Sequence, residues 1–274
     1  MDAGAEQTVH KIVKNSIFYL LALLIALGLK YHYSRAPSGG LVWILGPTAG
    51  VVEYMSGIRF EKEDGSGFVS RRHQIIIAPA CAGVNFLIIA FSMAVFSGLH
   101  RFRAFGPKTF WLVISATGAY FVTIAVNAVR IVTSIYMYTA DIHTQWLTPG
   151  QLHRIEGIFI YFFALCLFYW ALENTLRLCT PGPAQPRKKW IQQDSDSIGK
   201  FHSVVIPLFW YLLVSLGIPL LNSAYHKNGS RFVEHCLITL AVCMVVFLSV
   251  FLIQSCCRRL WRRLQFKSTV NDRF

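Results

Sequence analysis

Of 274 residues, 54% are hydrophobic and only 14% are charged, and the apolar residues fall in long blocks. A soluble domain of this length carries more charge, more evenly spread, so the composition excludes that class and points to a polytopic helical membrane protein. The net charge of +13 does not signal nucleic acid, because lysine and arginine gather at the ends of the apolar blocks, where membrane topology is marked.

Taken in order, the polar start carries Lys11 and Lys14 ahead of a first span, Ser16 to Leu29. No small-residue cleavage site follows Leu29; Lys30-Tyr31-His32 does, so this block is not a cleavable signal. Tyr31 to Pro37 has the aromatic character of an interfacial exit. Leu41 to Gly57 is apolar but interrupted by Gly46-Pro47 and Gly50 and carries Glu53. It reads either as a span or as a re-entrant or interfacial helix pair, since broken backbone survives at membrane depth only under a cover of protein. Ile58 to Gln74 is polar, and Asp64-Gly65 between Phe60-Glu61-Lys62 and Phe68-Val69-Ser70 predicts a small hairpin.

Pro79 suits the first turn of a helix, where its missing N–H costs nothing, and an apolar run follows to Gly98. Cys81 is then expected two positions into that helix, among unpaired N–H groups that favour a thiolate. A basic loop with His100, Arg101, Arg103 and Lys108 leads to a span from Phe110 to Val129, with Arg130 roughly 20 residues in, about one bilayer thickness. Thr148-Pro149-Gly150-Gln151 has the pattern of a capped helix start, placing His153 in the first turns of a span that runs to Leu172. A Pro-rich, basic linker (179–200) precedes two more spans, Val204 to Leu221 and Cys236 to Ser255, and a basic tail. The expected fold is an all-α membrane bundle with six crossings plus the uncertain segment 41–57. If 41–57 does not cross, an inside N-terminus puts most of the 26 lysines and arginines on the inner face, and Cys81, Arg130 and His153 together on the outer one. If 41–57 crosses, the same arrangement requires the N-terminus outside.

The seven cysteines show no CxxC and no zinc spacing. Cys166, Cys179, Cys236 and Cys243 lie in or beside apolar segments, so neither a disulfide framework nor a metal or other cofactor is expected. Cys256-Cys257 beside Arg258-Arg259 reads as interfacial thiols next to topogenic charge in preference to a lipidation site.

Cys81, Arg130 and His153 come from three consecutive helices, and antiparallel neighbours with short connections are normally adjacent. Cys and His are the minimum for a thiolate nucleophile with an acid/base. A helix N-terminus disfavours imidazolium, which keeps His153 able to accept a proton. Arg130 suits a developing oxyanion or a substrate carboxylate, and Asn127 shares its helix face. A lone Arg at a span end also serves as a snorkelling anchor; Asn127 beside it in an apolar helix argues for an inward-facing polar site. His73 and His143 are competing bases on the same face, and Glu156 stands one turn from His153.

Three boxes in order, Ile77-Ala78-Pro79-Ala80-Cys81-Ala82-Gly83-Val84-Asn85-Phe86, Val126-Asn127-Ala128-Val129-Arg130-Ile131 and His153-Arg154-Ile155-Glu156-Gly157-Ile158-Phe159, resemble the exosortase/archaeosortase family. The Cys box with Asn-Phe, and the lead-in Trp43…Pro47…Gly57…Phe60, resemble its exosortase K branch most. The resemblance covers roughly residues 15–175, which implies a catalytic membrane core over 1–175, an inside linker over 176–200 and two additional helices with a cytoplasmic tail over 201–274. It implies a multipass cysteine transpeptidase of the bacterial inner membrane, its site facing outward. Its partners would be exported proteins bearing a C-terminal sorting signal of short motif, hydrophobic helix and basic cluster; the bilayer is the other partner, and nucleic acid is not. By the same resemblance Cys81 is the nucleophile, Arg130 the transition-state or substrate-positioning group and His153 the acid/base. Gly83, Asn85 and Asn127 fall in the matching boxes, and supporting roles for them and for Glu156 are read from their positions beside these three. The family's more usual box has an acidic residue before the Cys and Ser-Gly after it. Ala-Pro-Ala-Cys-Ala-Gly departs from that, which bears on the substrate motif more than on the chemistry. A transporter or an envelope-polysaccharide assembly component, with Asn127, Arg130 and His153 lining a polar path, is the competing expectation.

Overall fold

The computed structural model describes residues 3–140, 148–179, 204–221 and 229–271. Among the described residues seven helices carry the fold: α1 (Ala3–Arg35), α2 (Val42–Ser56), α3 (Val84–Gly98), α4 (Phe105–Thr139), α5 (Pro149–Cys179), α6 (Val204–Leu220) and α7 (Gly229–Asn271). Of these described residues, five segments are long and apolar enough to cross a bilayer: Asn15–Arg35, Pro79–Arg101, Phe105–Thr139, Gly150–Leu178 and Phe232–Ile253. Val204–Leu220 is a shorter apolar helix, with a π-helical stretch at Leu213–Gly217. This is the all-α polytopic membrane bundle that the hydropathy pattern requires. The linker expected over 176–200 lies, beyond Cys179, outside the described residues.

α3 is apolar all round, and a helix of that kind must be buried on every side. In its apolar window 72% of residues are buried, against 17–39% in the other spans, so α3 is the axis of the bundle. α1, α4 and α5 pack around it, α2 lies against α4 and α7 against α5. The far end of the bundle is tied by Arg101, whose Nη2 donates to Glu173 Oε1 at 2.6 Å.

The broken segment becomes a single 15-residue helix, α2, with Pro47 inside it. At 1.5 Å per residue it is about 22 Å long, short of a ~30 Å hydrocarbon core. Pro47 has no N–H for the carbonyl of Trp43 four residues earlier. That carbonyl instead accepts from the Tyr120 hydroxyl of α4 at 2.7 Å, and the two rings stack at 6.0 Å between centroids. The helix survives its proline because α4 supplies the missing donor.

The expected hairpin forms, as β1 (Glu61–Glu63) and β2 (Gly67–Ser70). A strand not foreseen, β3 (Ile75–Ile77), extends it to an antiparallel sheet in the order β1-β2-β3. Three consecutive isoleucines show no alternation of hydropathy, which hides a strand from a reading based on periodicity.

Candidate functional site

The chain between β3 and α3 corrects the expected setting of Cys81. Pro79–Cys81 forms a tight 3-10 turn, with Cys81 N–H donating to Ala78 O at 2.8 Å, and α3 begins only at Val84. Cys81 therefore stands before the helix, in a turn ahead of its N-cap. The cause is Gly83, whose φ of +71° is a left-handed conformation that no helix interior tolerates and that glycine adopts without strain. Asn127, fully buried on α4, fixes the turn by donating its Nδ2 to the Cys81 carbonyl at 2.6 Å. A Cβ on Gly83 would lie 3.2 Å from Asn127 Cγ, so the same glycine also admits the buried amide.

Asn127, Arg130 and Ser134 recur on one face of α4, and His153, Glu156, Gly157 and Tyr161 on one face of α5. Tyr161 OH donates to Asn127 Oδ1 at 2.7 Å and accepts from Arg130 Nη1 at 3.2 Å. Its ring stacks on Phe86 of α3 at 5.0 Å and lies 5.3 Å beneath the Arg130 guanidinium carbon. Gly157 clears the way for that guanidinium: a Cβ there would stand 2.9 Å from Arg130 Nε. Among the described residues no carboxylate forms an ion pair with Arg130.

His153 is held from both ring nitrogens. Arg130 Nη2 lies 2.8 Å from Nε2, and Ser134 Oγ lies 2.9 Å from Nδ1. The Ser134 hydroxyl has a single hydrogen, which it donates to Glu156 Oε2 at 2.6 Å. Ser134 must therefore accept from His153, which places the imidazole proton on Nδ1 and leaves Nε2 to accept from Arg130. The result is a neutral imidazole with a defined tautomer, set by a carboxylate acting through a hydroxyl. Such a ring can take up a proton at Nε2 once the guanidinium shifts toward a developing anion.

A cleft of about 310 Å³ is walled by Cys81, His153, Ser134 and Glu156 together with β3 and the apolar ends of α4 and α5. A second cavity, about 440 Å³, shares His153 as wall and is bounded by Arg130, Tyr161, Gly83, Asn85, Lys30 and His235. The structure thus brings Cys81, Arg130, His153, Asn127, Gly83 and Glu156 to one end of the bundle. It does not join the Cys81 thiol to His153 by a hydrogen bond: Nε2 of the imidazole is engaged by Arg130 and Nδ1 by Ser134. Asn85 stands apart from the network, its Oδ1 accepting from Lys30 Nζ at 2.8 Å and tying α1 to the start of α3. His73 is engaged by Ser70 on the sheet, Nδ1 to Oγ 3.3 Å, and His143 lies outside the described residues.

Tyr161 and Ser134 were missed by sequence reading. The signal that finds them is polar residues at helical spacing in apolar spans: Ser134 is one turn beyond Arg130, and Tyr161 two turns beyond His153.

This fold is that of a multi-pass membrane protein. A scan against protein families matches residues 10–170 to the transmembrane exosortases. That match spans more than half of the chain, which belongs to the transmembrane exosortase family, a family of sortase-like membrane peptidases and transpeptidases acting on exported proteins in general. Comparison with curated proteins and with solved structures returned no match.

Proposed function

We propose that the protein is a cysteine transpeptidase that cleaves a C-terminal sorting signal from exported proteins at the outer face of the bacterial inner membrane. In the first half-reaction Cys81 Sγ attacks the scissile carbonyl, the thiol proton passes to His153, and Arg130 stabilises the oxyanion. The C–N bond then breaks, His153 returns the proton to the leaving amine, and a thioester to Cys81 remains. In the second, an acceptor nucleophile attacks the thioester, gives its proton through His153, and the thiol is restored. Asn127 and Gly83 hold the Cys81 turn, Glu156 acts through Ser134 on His153, and Asn85 anchors the start of α3 to α1. The substrate class and the exosortase K branch rest on the motif resemblance, with the catalytic core over 1–175 and the later helices as an addition to it.

The observation that supports this reading best is the neutral His153 sharing one cleft wall with Cys81. A polar transport path needs neither a thiol on its wall nor a tautomer set by a buried carboxylate. Cys81→Ala is expected to abolish processing of a tagged exported substrate in cells, with the variant present in the membrane at wild-type level. Undiminished processing by that variant removes the assignment.

A further inference from the structure

We infer that the cleft beside β3 receives the acyl-side segment of the substrate as an added β-strand, an extended apolar peptide pairing with the outer edge of Ile75–Ile77. The inference rests on Cys81 as nucleophile and goes beyond it to how the substrate is held.

Four successive residues, Gln74 to Ile77, form the cleft wall. A strand that shows a cavity one of its faces contributes every second residue; one that contributes all of them lies edge-on. β3 ends the sheet, so one side of its backbone carries N–H and C=O groups with no strand partner among the described residues. The two edges of this sheet are unlike. β1 ends it with Glu61-Lys62-Glu63, the charged composition that blocks strand addition. β3 presents Ile-Ile-Ile, of high strand propensity, with Ile76 56% exposed. An uncharged, unprotected edge is the liability that proteins normally suppress, and here it lies beside Cys81.

The facing wall suits the same occupant. Ile131, Ile135, Met137 and Leu152 cross from the edge strand, and among the described residues no lysine or arginine lines the cleft. From Ile77 the chain reaches Cys81 in four residues through the Pro79 turn. Backbone pairing along the edge gives affinity with little demand on side-chain identity, and the apolar wall selects uncharged residues.

The test uses the full-length protein in nanodiscs, with alkylation at Cys81 read by mass spectrometry. The probes are iodoacetamide, acetyl-Val-Val-Val-chloromethyl ketone, and two twins of that peptide N-methylated at alternate amides. Each reagent forms a thioether with the Cys81 sulfur and releases halide. One twin is expected to lose about tenfold in rate while the other keeps the parent's rate, because successive amides of an added strand point alternately toward and away from its partner. Ile76→Pro, which removes a donor from the edge, is expected to cut the ratio of the parent's rate to that of iodoacetamide. Equal rates for both twins, or no advantage of the parent over iodoacetamide, overturn strand addition and leave the nucleophile in place. A Cys81 that iodoacetamide cannot reach overturns the nucleophile itself.

Discussion

At the scale of single residues, the site is a set of shared hydrogens. Glu156 is 7% exposed, and it acts on His153 through the Ser134 hydroxyl, with its Oε2 3.6 Å from Nδ1. Ser134→Ala removes the acceptor that keeps the imidazole proton on Nδ1, without disturbing the Cys81 turn, which hangs from Asn127. The expected outcome is a fall in kcat of about tenfold to a hundredfold, in the range of one acid/base contribution, with KM nearly unchanged. Steady-state rates on a tagged substrate check it; a change confined to KM contradicts the tautomer role. Cys81, Arg130, His153, Asn127 and Glu156 were legible because each is chemically conspicuous in an apolar chain. Ser134 and Tyr161 were not, since serine and tyrosine are unremarkable in membrane helices. Only the geometry shows that one phenol orders both Asn127 and Arg130.

Among the elements, α2 shows how a helix with an internal proline is kept whole. Tyr120→Phe removes the hydroxyl that serves the Trp43 carbonyl while keeping the stacked ring. It is expected to destabilise the protein by about 1–3 kcal/mol, the cost of a polar group left without its partner, read as a lower Tm in detergent. An unchanged Tm rules out Tyr120 as the replacement donor. The start of α5 was fully readable: Thr148 and Gln151 form the reciprocal capping box, with N to Oε1 at 3.1 Å and N to Oγ1 at 3.3 Å. Capping is a local code, written in adjacent residues. The Cys81 turn was misread because Pro79 announces the first turn of a helix equally well for a 3-10 turn and an α-helix. What separates the two is the left-handed Gly83, and a glycine in an Ala-Gly-Val context carries no visible sign of its φ. β3 escaped for a related reason, since its edge position is a property of the sheet and not of three isoleucines.

In the molecule as a whole, the helices beyond the family match meet the site directly. Glu234 of α7 accepts from Gln151 Nε2 at 2.9 Å and lies 3.8 Å from Arg154 Nη1, bracing the turn that carries His153. Tyr211, Val214 and His235 line the second cavity. Glu234→Ala is expected to lower processing by about threefold to tenfold, the effect of losing a part-exposed hydrogen bond of about 0.5–1.5 kcal/mol, with folding retained. Full activity in that variant makes α7 a bystander. Hydropathy was sufficient for the bundle and for five of the expected spans, with Val204–Leu220 a shorter apolar helix, because a bilayer imposes length and composition on every crossing. It is silent on which helix leans on which, so the bracing of α5 by α7 required the fold.

His153 lies in the walls of both cavities. In the proposed reaction the acyl chain fills the cleft beside β3 and leaves the other chamber open. One imidazole then works as a turnstile between two rooms: a proton taken up while the thioester forms leaves with the amine, and the next arrives from the opposite side. The guest already seated does not have to move for the second to enter, and the choice between water and acceptor falls to whatever occupies the chamber bounded by Lys30, Arg130 and His235.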